Sequence, residues 1–305
     1  MRGGGGTVAL ASGPPPATVV TALSTEATPG PVNVTTLRLE RDGPDGVVAR
    51  VTLARPDVRN AFDAATIADL RAVFDALRDE APERLRAVVL AGEGRLFCAG
   101  ADIAWMRAAM TLDEAANERD ALAAADMFRA IDDCPVPVIA RVQGGALGGG
   151  MGLCAVADVV VAEAGATFGF TETRLGIIPA VIAPFVIAKI GESHARALFP
   201  GGGRFDAERA LRIGIAHRLV ADAAGLDAAV DDELRAILAG GPTAVRAGKR
   251  LIRDLRGGDP AAARALSARA IAAQRTTAEA QEGFAAFEGR RPAGWAAPLP
   301  GDEPA

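Results

Sequence analysis

Two stretches of small residues hold the chemistry most readily read from this sequence. One is Gly144-Gly-Ala-Leu-Gly-Gly-Gly150; the other is Leu96-Phe-Cys-Ala-Gly-Ala-Asp-Ile103. Three adjacent glycines, Gly148 to Gly150, let a backbone approach a partner closely and leave N–H groups unshielded where a helix begins. Free amides and the helix dipole favour negative charge there, bound or developing. Two such amide sites facing each other would form an oxyanion hole. The bland alternative is close packing, which glycine-rich helix starts also serve. The three cysteines, Cys98, Cys134 and Cys154, lack metal-ligand spacing and sit in apolar contexts, as reduced thiols do. Cys98 has no histidine partner and reads as a small packing residue. His194 and His217 are too few for a histidine zinc site.

Positioning these loops requires a strand before each and a helix after it. Ala87–Ala91 is an apolar strand leading through the Phe97–Asp102 loop into a helix. Residues 135–140 form the strand before the second loop, which opens a short buried helix and then a strand at 158–162. Val47, Ala49, Val51 and Leu53 alternate as a half-buried strand. Asp63 caps a helix with the apolar face Ile67, Leu70, Val73, Phe74 and Leu77. A long helix spans about 112–131. Helices at 183–190 and 193–198, a helix from Ala207 capped by Asp206 and a strand at 216–220 follow. Beyond Leu226 the pattern is helical, over 226–238, 243–255 and 260–287. Alternating strands and helices followed by helices alone imply an α/β fold with a C-terminal helical subdomain.

The 305 residues, half of them hydrophobic, suffice for a large core. The net charge of −5 argues against a nucleic-acid partner. No run approaches the ~20 apolar residues of a membrane span. The Gly- and Pro-rich start lacks a secretory apolar region, so the expected location is the cytoplasm. Residues 1–34 read as a disordered tail, 35–225 as the core, 226–290 as the helical subdomain and 291–305 as a second tail.

Arg55-Pro-Asp-Val-Arg-Asn-Ala-Phe62, Phe97-Cys-Ala-Gly-Ala-Asp-Ile103 and Gly144-Gly-Ala-Leu-Gly-Gly-Gly150 together resemble the enoyl-CoA hydratase/isomerase (crotonase) superfamily, over roughly residues 36–290. The resemblance implies a crotonase-like spiral of ββα turns with a C-terminal helical trimerisation subdomain. It implies a homotrimer or a dimer of trimers, an acyl-CoA thioester as partner, and no cofactor or metal, since coenzyme A is part of the substrate. It places the oxyanion hole on the amides of Ala101 and Gly149. Glu172, in Phe170-Thr-Glu-Thr-Arg-Leu-Gly176, matches a family glutamate, and its apolar surroundings should raise its pKa toward the range useful for proton transfer. Where two-glutamate hydratases carry the other glutamate, this sequence has Gly152.

Ala61, Asp102 and Ile103 match backbone positions that hold the CoA adenine and pantetheine, and Gly148 in the second loop is a further substrate-binding candidate. Trp105 and Met106 fall on the helix after the first loop, where they line an acyl pocket or pack in the core. Arg59, Lys249, Arg290 and Arg291 are candidates for CoA phosphates, though each reads more readily as a solvated charge. Glu118 and Asp120 could assist from the long helix, with plain exposure the simpler reading. Phe284 and Phe287 read as subunit packing. Gly149-Gly-Met-Gly152 and Pro179-Ala-Val-Ile182 look most like a branched-chain subgroup that contains methylglutaconyl-CoA and carboxygeranoyl-CoA hydratases. The expected activity is therefore hydration of a 2-enoyl-CoA, with double-bond isomerisation through the same glutamate as the alternative. A non-catalytic CoA- or RNA-binding protein on this fold is the reading from another class.

Overall fold

The structure, a computed structural model, describes residues 34–296. In chain order its strands are β1 (Leu37–Asp42), β2 (Val48–Leu53), β3 (Ala87–Gly92), β4 (Val138–Val142), β5 (Gly145–Leu147), β6 (Val159–Glu163), β7 (Thr167–Gly169), β8 (Arg204–Asp206) and β9 (Arg218–Val220). Its helices are α1 (Ala64–Arg78), α2 (Ile103–Ala109), α3 (Glu114–Asp132), α4 (Gly149–Val156), α5 (Ala183–Leu198), α6 (Ala207–Arg212), α7 (Ala223–Ala239), α8 (Pro242–Asp254), α9 (Pro260–Arg275) and α10 (Ala278–Glu288). The sequence-based reading of a disordered tail falls mostly on residues 1–33, outside those described.

The main sheet has the order β1-β2-β3-β4-β6-β9 and is parallel except for the β1–β2 hairpin; β5, β7 and β8 form a smaller sheet. Its central strands are apolar on both faces because helices cover both. Val88 and Leu90 of β3 face a core shared with α1 and α3, whereas Ala87 and Val89 face α7. The α1 stripe foreseen in the sequence is buried, and the Asp63 carboxylate caps the helix by accepting from Thr66 N at 2.9 Å. Thus α7, the first of the C-terminal helices, lies against the main sheet.

The sequence pattern predicts one helix over 260–287; the structure breaks it. Thr277 caps α10 by accepting from Ala280 N at 3.1 Å while its hydroxyl donates to Gln274 O at 2.8 Å. A threonine satisfied in this way competes with continuation of the helix. Gly191, at φ 76°, divides α5 where two helices are expected. The segment after 290, expected to be a tail, is anchored as far as it is described: Trp295 Nε1 donates to Ala239 O at 3.1 Å, and Arg291 pairs with Glu282 at 2.6 Å.

Candidate active site

The first loop is set by a buried polar residue. Asn60 lies in the left-handed region at φ 55°. Its Oδ1 accepts from Arg55 N at 3.1 Å, and its Nδ2 donates to Glu93 O and Leu96 O, both at 2.8 Å. This ties the turn after β2 to the loop after β3. Phe62 then pairs with Ala101 in a single parallel bridge: Phe62 N donates to Gly100 O at 2.9 Å and Asp102 N to Phe62 O at 3.0 Å. In that register the Ala101 N–H points away from Phe62. It donates to no other group among the described residues.

The second loop is locked to the first. Leu147 N donates to Cys98 O at 3.0 Å and Gly148 N to Gly169 O at 2.9 Å. Gly148 turns at φ 50°, and α4 begins at Gly149, whose N–H also lacks an acceptor among the described residues. A Cβ on Gly100 would lie 3.0 Å from Gly149 N, so the two loops touch at the two free amides. A Cβ on Gly149 would lie 2.2 Å from Phe62 Cζ; the ring closes the space behind that amide. Two unpaired amides brought together in this way can stabilise a negative charge.

Glu172 opens the short 3-10 turn Glu172–Leu175 after β7. A Cβ on Gly148 would lie 3.4 Å from its Oε1, which places the carboxylate beside the second loop. Oε2 is buried without a hydrogen-bond partner among the described residues. Burial raises the carboxyl above its ordinary value of 4.5, only partly offset by a hydrogen bond from its own backbone N–H. A carboxyl raised in this way holds its proton more readily than an exposed one, which suits a group that must both take and give a proton.

Ala101, Gly149 and Glu172 line one cavity of about 670 Å³. Trp105 and Met106 line it from α2, Asp120 and Phe128 from α3, and residues 177–182 from the opposite side. Ile103 lies at the rim and is exposed. A larger depression of about 960 Å³ lies beside α8 and contains none of the three.

No room exists for a second glutamate at position 152. A Cβ there would lie 2.4 Å from Ile182 Cγ2 and 2.7 Å from Phe128 Cε1. Sequence reading noted the missing carboxylate but not the two side chains that replace it. The helical register Asp120, Ala124, Phe128 on α3 is the signal that could have found Phe128.

The remaining candidates divide. Ala61 is buried, and its carbonyl accepts from Arg55 Nη1 at 2.6 Å. The Asp102 side chain caps α2, accepting from Ala104 N at 2.8 Å, and pairs with Arg55 at 3.1 Å. Lys249 is bound to Asp158 at 2.5 Å and Arg291 to Glu282, so neither is a free phosphate ligand. Arg59 and Arg290 are exposed at positive φ. Asp120 lines the cavity, whereas Glu118 is exposed. Cys98 is buried, donates to Asn60 O at 3.2 Å and accepts from Gly100 N at 3.4 Å; burial pushes its thiol up to about 12, as a packing residue.

A sequence profile described as enoyl-CoA hydratase/isomerase matches residues 44–298. The chain belongs to the enoyl-CoA hydratase/isomerase family. It is therefore an enzyme with the crotonase α/β fold. A Thermus thermophilus protein named as an enoyl-CoA hydratase is 32% identical over 249 residues, 81% of this chain and 96% of its own. The crystal structure of an enoyl-CoA hydratase from Shewanella pealeana superposes with a TM-score of 0.79 at 34% identity, covering 85% of this chain and 96% of that one. Pseudomonas aeruginosa AtuE superposes at 0.81 with 39% identity, covering 86% and 99%. No helix among the described residues is long and apolar enough to cross a membrane.

Proposed function

We propose that this enzyme adds water across the 2,3-double bond of a 2-enoyl-CoA thioester, using Glu172 as its single acid–base group. The observation that carries this is the convergence of one buried carboxylate and two unpaired amides on one apolar cavity. The Glu172 carboxylate takes a proton from water as the water oxygen bonds to C3. The C2–C3 π electrons shift toward the thioester, whose oxygen becomes an enolate held by the Ala101 and Gly149 amides. C2 then takes the proton from Glu172, and the enolate collapses to the 3-hydroxyacyl thioester. Removing one such amide donor typically costs about 3 kcal/mol of transition-state stabilisation. Trp105, Met106, Phe128 and residues 177–182 supply an apolar wall suited to a branched acyl chain, and Arg107 on the same lining is a cation for the distal carboxylate of a chain of the methylglutaconyl-CoA type. Ala61, Asp102 and Ile103 would hold the CoA adenine and pantetheine, with Gly148 next to the Gly149 amide at the thioester.

The packed Gly152 position favours a second reading. Without a second carboxylate to hold water, Glu172 would instead take a proton from C2 of a 3-enoyl-CoA and return it to C4, moving the double bond. Phe284 and Phe287, 62% and 82% exposed on α10, support a homotrimer or a dimer of trimers, in which other copies cover them.

Absorbance at the enoyl-thioester band tests both readings. Loss of the band from crotonyl-CoA and 3-methylglutaconyl-CoA establishes hydration and ranks the chains. Stable 2-enoyl bands, together with a band growing in from a 3-enoyl-CoA, establish isomerisation. No change in any case overturns both.

A further inference from the structure

Arginine supplies nearly all of the 33 basic residues; the only lysines in the sequence are Lys189 and Lys249. Both converge on the turn that leaves α4. Lys189 Nζ, from α5, donates to the carbonyl of Ala157, the C-cap of α4. Lys249 Nζ, from α8, donates to Asp158 Oδ2 at 2.5 Å and Val136 O at 2.9 Å, and Asp158 Oδ2 also accepts from Val138 N at 2.7 Å. The opposite end of α4 is the Gly149 amide. This helix has eight residues, and Gly149, Gly150 and Gly152 lie among its first four. Glycine disfavours a helix, so α4 depends on its surroundings for its position. A cation on a C-terminal carbonyl satisfies an acceptor the helix cannot satisfy itself and complements the dipole.

We propose that Lys189 is a positioning residue for the reaction: its ammonium, seated on the Ala157 carbonyl, holds α4 so that the Gly149 amide meets the thioester oxygen. The inference rests on the reading that this amide and that of Ala101 receive the oxygen. Lys189 touches no reacting atom; it acts along the helix axis.

The charge of Lys189 is also placed to change. Burial lowers its pKa to about 8, opposed by Cys154 of α4, Asp158 of the turn and Asp132 of α3, and reinforced by Lys249 of α8. Burial, with Lys189 next, lowers His217, ahead of β9, to about 4, and burial pushes Cys154 up to about 12. Neither of those two changes charge near pH 8. The unfolded chain keeps the Lys189 proton up to the ordinary value of 10.5, so losing it in the folded state above pH 8 favours folding. Lys189 therefore predicts an alkaline fall in kcat without a matching fall in stability.

The test reads the thioester carbonyl stretch of crotonyl-CoA bound to Glu172→Gln protein, by difference infrared spectroscopy. The carbonyl shifts to lower frequency in Glu172→Gln alone, shifts less when Lys189→Met is added, and recovers with Lys189→Arg. With Glu172 intact, Lys189→Met lowers kcat by about fivefold, the scale of one cation at a helix C-terminus, while KM stays nearly constant. The alkaline fall near pH 8 in the wild type disappears in Lys189→Arg. An unchanged carbonyl frequency and pH profile in Lys189→Met overturns the inference. If the methionine variant does not fold, a fall near pH 8 that survives in Lys189→Arg overturns it. A carbonyl unshifted in Glu172→Gln alone overturns the oxyanion reading itself, and the inference with it.

Discussion

The two ends of the cavity are built on opposite principles. At the end proposed to hold the thioester the groups are backbone amides, and each is fixed by hydrogen bonds on the residues beside it: Phe62 to Gly100, Asp102 to Phe62, Gly148 to Gly169. At the acyl end the wall is made of side chains, several exposed at the rim, including Ile177 and Ile178 at 47% and 71%. Amides held by a buried frame cannot be retuned by a point change without disturbing that frame. Side chains on a rim can be exchanged one at a time. The difference teaches that, on the proposed mechanism, the enolate-stabilising amides are locked into this fold, while the choice of acyl chain is left adjustable.

The sharpest break of this contrast is Glu172→Gln, which removes the carboxylate placed beside Gly148. Turnover should fall by about 10³-fold. The same substitution should raise stability at neutral pH. The folded-state pKa of Glu172 is raised, so ionisation costs folding above the unfolded value of 4.5. The gain in Tm should shrink as pH falls below that value, and thermal melts across pH would read it.

Next in size is Gly149→Ala. The new Cβ meets the Phe62 ring, and the displaced amide should cost about 10²-fold in kcat with thioester binding retained. Gly152→Ala probes packing without touching the amides. Its Cβ meets Ile182 and Phe128, so denaturant unfolding should show a loss of about 1–3 kcal/mol.

At the acyl end, Ile178→Ala should leave kcat for crotonyl-CoA nearly unchanged and shift the preference between short and branched chains by about tenfold in kcat/KM. The smallest effect lies outside the cavity. His217 Nδ1 accepts from Val160 N at 2.8 Å, which requires the neutral ring, and burial together with Lys189 holds its pKa down to about 4. Its stabilising share should be complete above the ordinary value of 6.5 and drain away as pH falls toward 4. His217→Asn should flatten that part of the Tm profile.

Sequence and structure agree best where backbone does the work. Glycine spacing and a strand-to-helix rhythm are local signals, so the two loops and the Asp63-capped helix were legible from residue types alone. Assigning Glu172 needed the family resemblance, because a lone glutamate beside Arg174 also reads as a surface ion pair until its burial is known. The apolar plug under Gly152 was not legible: Phe128 and Ile182 reach it from elements far apart in sequence. The break at Thr277 was missed because helical periodicity continues through it, and only the hydroxyl's hydrogen bonds reveal the cap. The convergence of Lys189 and Lys249 on one turn is likewise a tertiary fact.

The central claim is that one carboxyl group handles both protons of the addition. Hydration of crotonyl-CoA in deuterium oxide, with the product read by NMR, tests it most directly. A single glutamate predicts that the hydroxyl at C3 and the deuterium at C2 arrive on the same face. Addition to opposite faces, or a mixture of the two, would contradict the account and require a second acid–base group across the cavity.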